Sequence, residues 1–255
     1  MLDYPAAREV VSRSPTKTVR ILNLNGILDS PVECESTLER DFVYRAVLCP
    51  GLLRLRHQPF TLKLSTGRTY TPDFLVKHRD GRLTVVEVKP RQKVPKYREV
   101  FDEATARLGT DGIAFLVLDE EAIRAAKREK SAVLILRYRK TRPDIESQDR
   151  VIGELRRGDG SMAIGKLARR AGVSREVILR LLATRTLITS RDLATSEEAR
   201  VRLFNEAEIS HAFRIESWFG VSAWGKTARG DTHPERHGDP DRRRAYTQAA
   251  GVEAI

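Results

Sequence analysis

An α/β fold is predicted for this chain: a mixed sheet flanked by helices, followed by a small all-α helix-turn-helix domain. Three observations point there. Residues 68–90 read as a β-hairpin, apolar runs alternate with amphipathic stretches from there to about residue 140, and beyond Ile145 the composition turns helical. The hairpin turn is His78-Arg79-Asp80-Gly81, since Asp-Gly between alternating apolar residues is a strong hairpin signal. On its second strand Leu83, Val85, Glu87 and Lys89 share one face, and Val86 and Val88 take the other. The first face therefore passes from apolar side chains to a carboxylate and an ammonium just where Pro90 stops the strand. Such a break in pattern is expected at functional sites. On the first strand Pro72, beside Asp73, removes a ladder donor and marks an edge or a bend. The hairpin brings Asp73 close to Glu87. Two like charges about 4 Å apart repel by roughly 1 to 4 kcal/mol. A divalent cation turns that repulsion into coordination, with Lys89 placed to deprotonate or orient a water.

The other elements follow in chain order. Residues 1–20 carry Pro5, Pro15 and basic residues without periodicity and read as a flexible arm. Val19–Leu28 is mildly apolar around an Asn25-Gly26 turn. Glu35 to Leu48 is a helix: Leu38, Phe42 and Ala46 recur at helical spacing, and Ser36 with Glu39 forms a capping box. Ser30 with Glu33 competes for that start. Glu39 lies at the rim of the buried stripe, where it serves as cap partner or as an acidic site residue, with Glu35 one turn earlier in reserve. Phe60, Leu62 and Leu64 alternate as a strand ahead of the hairpin. The basic segment 91–96 is interrupted by Pro95, and Tyr97–Leu108 is an amphipathic helix stopped by Gly109. Ile113–Leu118 is apolar enough for a central strand. Asp119 caps a short helix through about Glu129, and Ala132–Leu136 reads as a further strand.

Arg142-Pro143 closes this first domain, which spans 21–142. The second spans 143–224. Within it, helices at 145–157, 163–171 and 174–184 include a helix-turn-helix, with Gly172 in the turn and Ser174 capping the second helix. Leu187-Ile188-Thr189 forms a small wing strand. Arg175 and Arg180 face DNA if the module reads nucleic acid; a protein-docking face is the alternative. Residues 197–224 are expected to be helical, with Trp218 and Trp224 packing on the core or on a partner. The tail from 225 to 255 is poor in apolar groups and expected to be disordered, with His233 and His237 solvated.

Composition narrows the function class. The chain has 255 residues, 46 Lys and Arg against 35 acids, a net charge of +11 and a pI near 9.9. That balance suits a polyanionic partner, nucleic acid first. Two cysteines, Cys34 and Cys49, fit neither a zinc motif nor a disulfide framework, which points to a reducing cytosol; the expected location is the bacterial cytoplasm, in association with the nucleoid. No signal-type apolar core and no membrane-length run occurs.

The Pro72-Asp73 pair, thirteen residues, then Glu87-Val88-Lys89 resembles the signature of the restriction-endonuclease-like (PD-(D/E)XK) nucleases. Taken together, Glu35-Ser-Thr-Leu-Glu-Arg-Asp-Phe42, Gln58-Pro59-Phe60, Tyr70-Thr-Pro-Asp-Phe-Leu75 and Glu87-Val-Lys-Pro90 resemble the TnsA family, the endonuclease subunits of heteromeric transposases, over about residues 20–140. The resemblance implies a restriction-endonuclease-like sheet with a winged-helix-like domain after it. It implies Mg²⁺, for which Mn²⁺ can substitute, and cleavage of the 5′-end strands of a mobile element. It also implies partners: double-stranded transposon-end DNA, a transposase subunit that cuts the 3′ ends, and an ATPase regulator of target selection. Glu39 matches the family's helix acid, Asp73 the central metal ligand, Glu87 the second strand ligand and Lys89 the catalytic lysine. The Val88 carbonyl completes the metal set. Some members carry Gln where Glu87 stands, and Gln58 matches a recurring position. The alternatives are a stand-alone restriction or repair nuclease of the same fold, and a non-catalytic helix-turn-helix assembly factor.

Overall fold

The structure, a computed structural model, describes residues 19–225. The expected arm and tail, with His233 and His237, lie outside the described residues except at positions 19, 20 and 225. β1 (Arg20–Leu22) and β2 (Val32–Cys34) pair antiparallel, and Gly26 takes a positive φ of 80° in the intervening turn. α1 (Thr37–Ala46) starts at the predicted capping box. Ser36 Oγ accepts from the Glu39 N–H at 3.1 Å, while Glu39 Oε2 accepts from the Glu35 N–H at 2.8 Å. The competing start fails because Glu33 pairs within β2.

Next come β3 (Leu52–His57), β4 (Leu62–Lys63), β5 (Thr69–Tyr70), β6 (Phe74–His78) and β7 (Leu83–Val88). The strand expected through Phe60–Leu64 shrinks to β4, which pairs with β5 apart from the main sheet. The β6–β7 hairpin closes as predicted, with the Gly81 N–H donating to the His78 carbonyl at 3.0 Å and Gly81 at φ 84°. α2 (Arg98–Thr110) then returns the chain so that β8 (Ala114–Leu118) joins β7 in parallel. The main sheet runs β3-β6-β7-β8. By its pairings β8 is an edge strand, not the central one its apolar run predicts. Its burial comes instead from helices and from the chain's far end, where the Trp224 N–H donates to the Phe115 carbonyl at 2.8 Å.

α3 (Glu120–Arg124) is capped by Asp119 Oδ1, which accepts from the Ala122 N–H at 2.9 Å. Two left-handed residues, Ala126 and Lys127, break the chain before α4 (Arg128–Arg137). The strand expected at Ala132–Leu136 is thus the middle of a helix. Ala132, Ile135 and Leu136 are buried at helical spacing while Val133 stays 44% exposed. A five-residue apolar run carries no period of its own, and packing decides it.

Helices cover both faces of the sheet. On one face Phe74, Val76, Val86, Val88 and Leu116 join α1 and α4, with the Phe42 ring 4.9 Å from that of Phe74. On the other, Val85 and Phe115 pack on Phe101, Ala104 and Leu108 of α2.

The C-terminal part contains α5 (Ile145–Arg157), β9 (Ser161–Ala163), α6 (Ile164–Ala171), α7 (Arg175–Ala183), β10 (Leu187–Ile188) and β11 (Arg200–Leu203). It is not all-α: its strands form a sheet in the order β10-β11-β9. Gly172, left-handed at φ 59°, makes the turn between α6 and α7. Ser174 occupies the N-cap position, but its side chain makes no cap bond. The helix expected over 197–224 is instead β11, two single 3₁₀ turns and α8 (Ile215–Phe219). This last stretch packs back on the main sheet's helices: Phe219 lies 5.4 Å from Phe42, and Trp218 Nε1 donates to the Arg45 carbonyl at 3.0 Å. Among the described residues no helix is long and apolar enough to cross a membrane.

Candidate active site

The predicted acidic residues meet at the end of the main sheet where β6 begins and β7 stops. The register Phe74↔Val86 sets Asp73 opposite Glu87. The β6–β7 ladder ends at the Phe74↔Val86 pair, so the Val88 N–H meets no carbonyl of β6. Asp73 Oδ2 takes that place at 2.8 Å. Glu87 is almost fully buried. Its Oε1 contacts Lys89 Nζ at 2.6 Å, and its Oε2 accepts from the Tyr70 hydroxyl at 2.7 Å. Lys89 Nζ also stands 4.8 Å from the centre of the Tyr97 ring, so an aromatic face and a carboxylate hold the ammonium together.

Glu39 approaches from α1, on the opposite face of the sheet. Its Oε1 accepts from the Ser36 hydroxyl at 2.8 Å, so both carboxylate oxygens serve the capping box. The cap role therefore accounts for both oxygens, and Glu39 reaches the Asp73–Glu87 cluster through its charge. Burial pushes the Glu39 carboxyl up, and the charges of Glu35 and Glu87 push it further against the pull of its hydrogen bonds. Asp73 is raised well above the ordinary aspartate value, first by burial, then by Glu87 and Glu39. The Val88 N–H and Lys89 compensate only in part. For Lys89, burial lowers the pKa, but Glu87 and Asp73 more than offset it and the ammonium holds its proton above the ordinary lysine range. The cluster is thus short of positive charge.

Asp73, Glu87, Lys89 and the Val88 backbone are brought together, with Glu39 within electrostatic reach. Arg175 and Arg180 are on α7, outside this cluster. Arg175 is exposed in the first turn and donates to the Thr195 carbonyl; Arg180 is half-buried, and burial followed by the neighbouring Arg142 lowers its pKa. Among the described residues no three His, Cys, Asp or Glu side chains form a ready-made metal cage. Three contributors had no role assigned from the sequence: Tyr70 and Gln58, which occur in the motifs quoted above, and Tyr97. Tyr70 lies three residues before Asp73, and the polarity of its neighbours is the only local signal for it. Its bond to Glu87 depends on β5 folding over the hairpin.

Residues 50–120 match the family described as TnsA-like endonuclease N terminal. No curated protein matches the chain. The matched stretch runs from the start of β3 to the start of α3, and includes Asp73, Glu87 and Lys89 but not Glu39. Its mixed sheet with flanking helices fits a restriction-endonuclease-like fold. Over residues 50–120 the chain is therefore similar to the N-terminal domain of TnsA-like endonucleases.

Proposed function

We propose that this chain is the metal-dependent endonuclease subunit of a heteromeric transposase, hydrolysing the 5′-end strands at the ends of a mobile element. The observation that carries the reading is the pairing of Asp73 with Glu87, with Lys89 in contact, inside the matched domain. The donor set fits Mg²⁺. Carboxylate and carbonyl oxygens suit this hard ion, which is usually held by one or two carboxylates together with waters and substrate phosphates. A cage of three protein ligands is not required. Asp73, Glu87 and the Val88 carbonyl would hold the ion, Glu39 would add negative charge for a second one, and Mn²⁺ can replace Mg²⁺. Held there, the ion would supply Lewis-acid chemistry, lowering the pKa of a bound water and offsetting charge on the phosphoryl oxygens.

The chain's own residues supply the rest. Lys89, an ammonium, donates hydrogen bonds and orients the attacking water while offsetting charge on the scissile phosphate. Tyr70 fixes one oxygen of Glu87 so that the other faces the site. The Val88 N–H fixes one oxygen of Asp73 in the same way. Exposed Lys93, Lys96 and Arg98 follow directly after the site and suit the DNA backbone. The helix-turn-helix with its small sheet is read as a winged-helix-like module that engages transposon-end DNA through Arg175 and Arg180. The partners are the transposase subunit that cuts the 3′ ends and an ATPase that selects targets, in the bacterial cytoplasm. In a reconstituted reaction with Mg²⁺, wild-type protein is expected to cut the 5′ strands, leaving 5′-phosphate and 3′-hydroxyl ends, and Asp73→Ala to abolish that cut. Full 5′ cutting by Asp73→Ala refutes the assignment. Cutting of unrelated plasmid without partners would move it to a stand-alone nuclease.

A further inference from the structure

Gln58 has no task in the chemistry above, yet the fold holds it under strain. It follows β3 with a left-handed φ of 42°, a conformation unfavourable for a glutamine, and it is only 8% exposed. Its N–H donates to the Asp73 carbonyl at 2.7 Å. Its side-chain Nε2 donates to Glu35 Oε1 at 3.0 Å. The Glu35 N–H in turn donates to Glu39 Oε2 at 2.8 Å. One hydrogen-bonded path therefore runs from the backbone of Asp73, through Gln58 and Glu35, to the carboxylate of Glu39. The side-chain oxygen Oε1 of Gln58 is buried without a hydrogen-bond partner. Strained backbone and an unsatisfied buried acceptor are both unfavourable, and they persist where surrounding structure enforces them for another reason.

We propose that Gln58 is a positioning residue that fixes the acids at the start of α1, Glu35 and Glu39, relative to Asp73, so that Glu39 is held beside the site where Asp73 and Glu87 would bind the cation. The path crosses from one structural layer to the other. This inference rests on the nuclease reading.

The test is calorimetric titration of Mn²⁺ into the full chain, alongside the Mg²⁺ concentration that gives half-maximal 5′-strand cutting. Gln58→Leu keeps the volume and removes the amide. It is expected to weaken Mn²⁺ binding by about 10- to 100-fold and to raise the Mg²⁺ requirement in step, with the rate recovering at saturating Mg²⁺. Should Gln58→Leu fail to fold, Gln58→Gly decides by the same measurements, since it keeps the backbone bond to Asp73 and tolerates the left-handed φ. A purely structural role lowers thermal stability and leaves Mn²⁺ affinity and Mg²⁺ requirement unchanged; that result overturns the proposal. Wild-type protein that binds no Mn²⁺ removes the nuclease reading and this one together. Binding lost in Asp73→Ala but intact in the Gln58 variant removes this one alone.

Discussion

At Asp73 a single carboxylate closes the sheet ladder and faces another acid. One oxygen accepts the Val88 N–H that the interrupted strand leaves over, and the charge remains beside Glu87. Lys89 is the available counter-charge, and its contact with Glu87 ties the two sides of the cluster together. Removing it separates binding from turnover. Lys89→Ala is expected to keep Mn²⁺ binding and to slow strand cutting by roughly 10²- to 10³-fold, the usual loss when one preorganised donor at a developing charge is deleted. Parallel measurement of Mn²⁺ affinity and single-turnover rate checks this; unchanged cutting takes the lysine out of the mechanism. These residues were legible in the sequence because strand alternation and the tight His78-Arg79-Asp80-Gly81 turn place Asp73 and Glu87 from local rules alone. Tyr70 and Gln58 were not. Their roles depend on contacts with Glu87 and Glu35, which no spacing in their own segments encodes.

Among the elements, α8 shows how far local reading reaches. Its five residues look like part of a longer helix, but they are a short segment pinned between α1 and the loop after it. Trp218 donates to the carbonyl of Arg45, and Arg45, fully buried, donates to the carbonyls of Ala122 and Ile123 at 2.6 Å each and stacks on Phe219. Gly51 belongs to the same interface. A Cβ there would meet the Phe213 carbonyl oxygen at 2.1 Å, so no larger residue fits without movement of the backbone. The sequence-distant end of the chain therefore completes the core behind the acidic site. Trp218→Ala is expected to cost about 3 to 5 kcal/mol of unfolding free energy, the range for deleting a buried aromatic. Denaturant titration reads it, and a loss below about 1 kcal/mol would show that α8 is peripheral. The helix α4 carries the same lesson in reverse. Its apolar run suits strand or helix equally, and contact with α1 selects the helix, whereas the capping box of α1 and the Asp80-Gly81 turn specify their own geometry without outside help.

For the whole molecule, one buried histidine, His78, and one half-buried histidine, His57, contribute to the acid limit of stability. Burial depresses both His78 and His57 below the ordinary value of 6.5, against the opposing charges of Glu216 and Glu33. A group whose folded value is lowered binds fewer protons folded than unfolded. Its contribution is full above about pH 6.5 and is lost as pH falls towards the folded value. Thermal melts are expected to drop below pH 6.5, and less steeply in His78→Gln; equal slopes in the two proteins would acquit His78. The acidic cluster acts with the opposite sign. Asp73 and Glu39 have raised folded values, so the stability tied to their protonation is present below their unfolded values and lost as pH rises through the folded ones. At neutral pH their charges therefore oppose folding until a cation joins them. Thermal unfolding at pH 7.5 with and without Mg²⁺, in wild type and in Asp73→Asn, tests this most directly. The account predicts that Mg²⁺ raises the wild-type Tm by several degrees, by about 2 to 4 °C per kcal/mol for a chain of this size. It also predicts that metal-free Asp73→Asn melts above metal-free wild type and gains nothing from Mg²⁺. A wild-type Tm indifferent to Mg²⁺, with Asp73→Asn less stable than wild type, would contradict it.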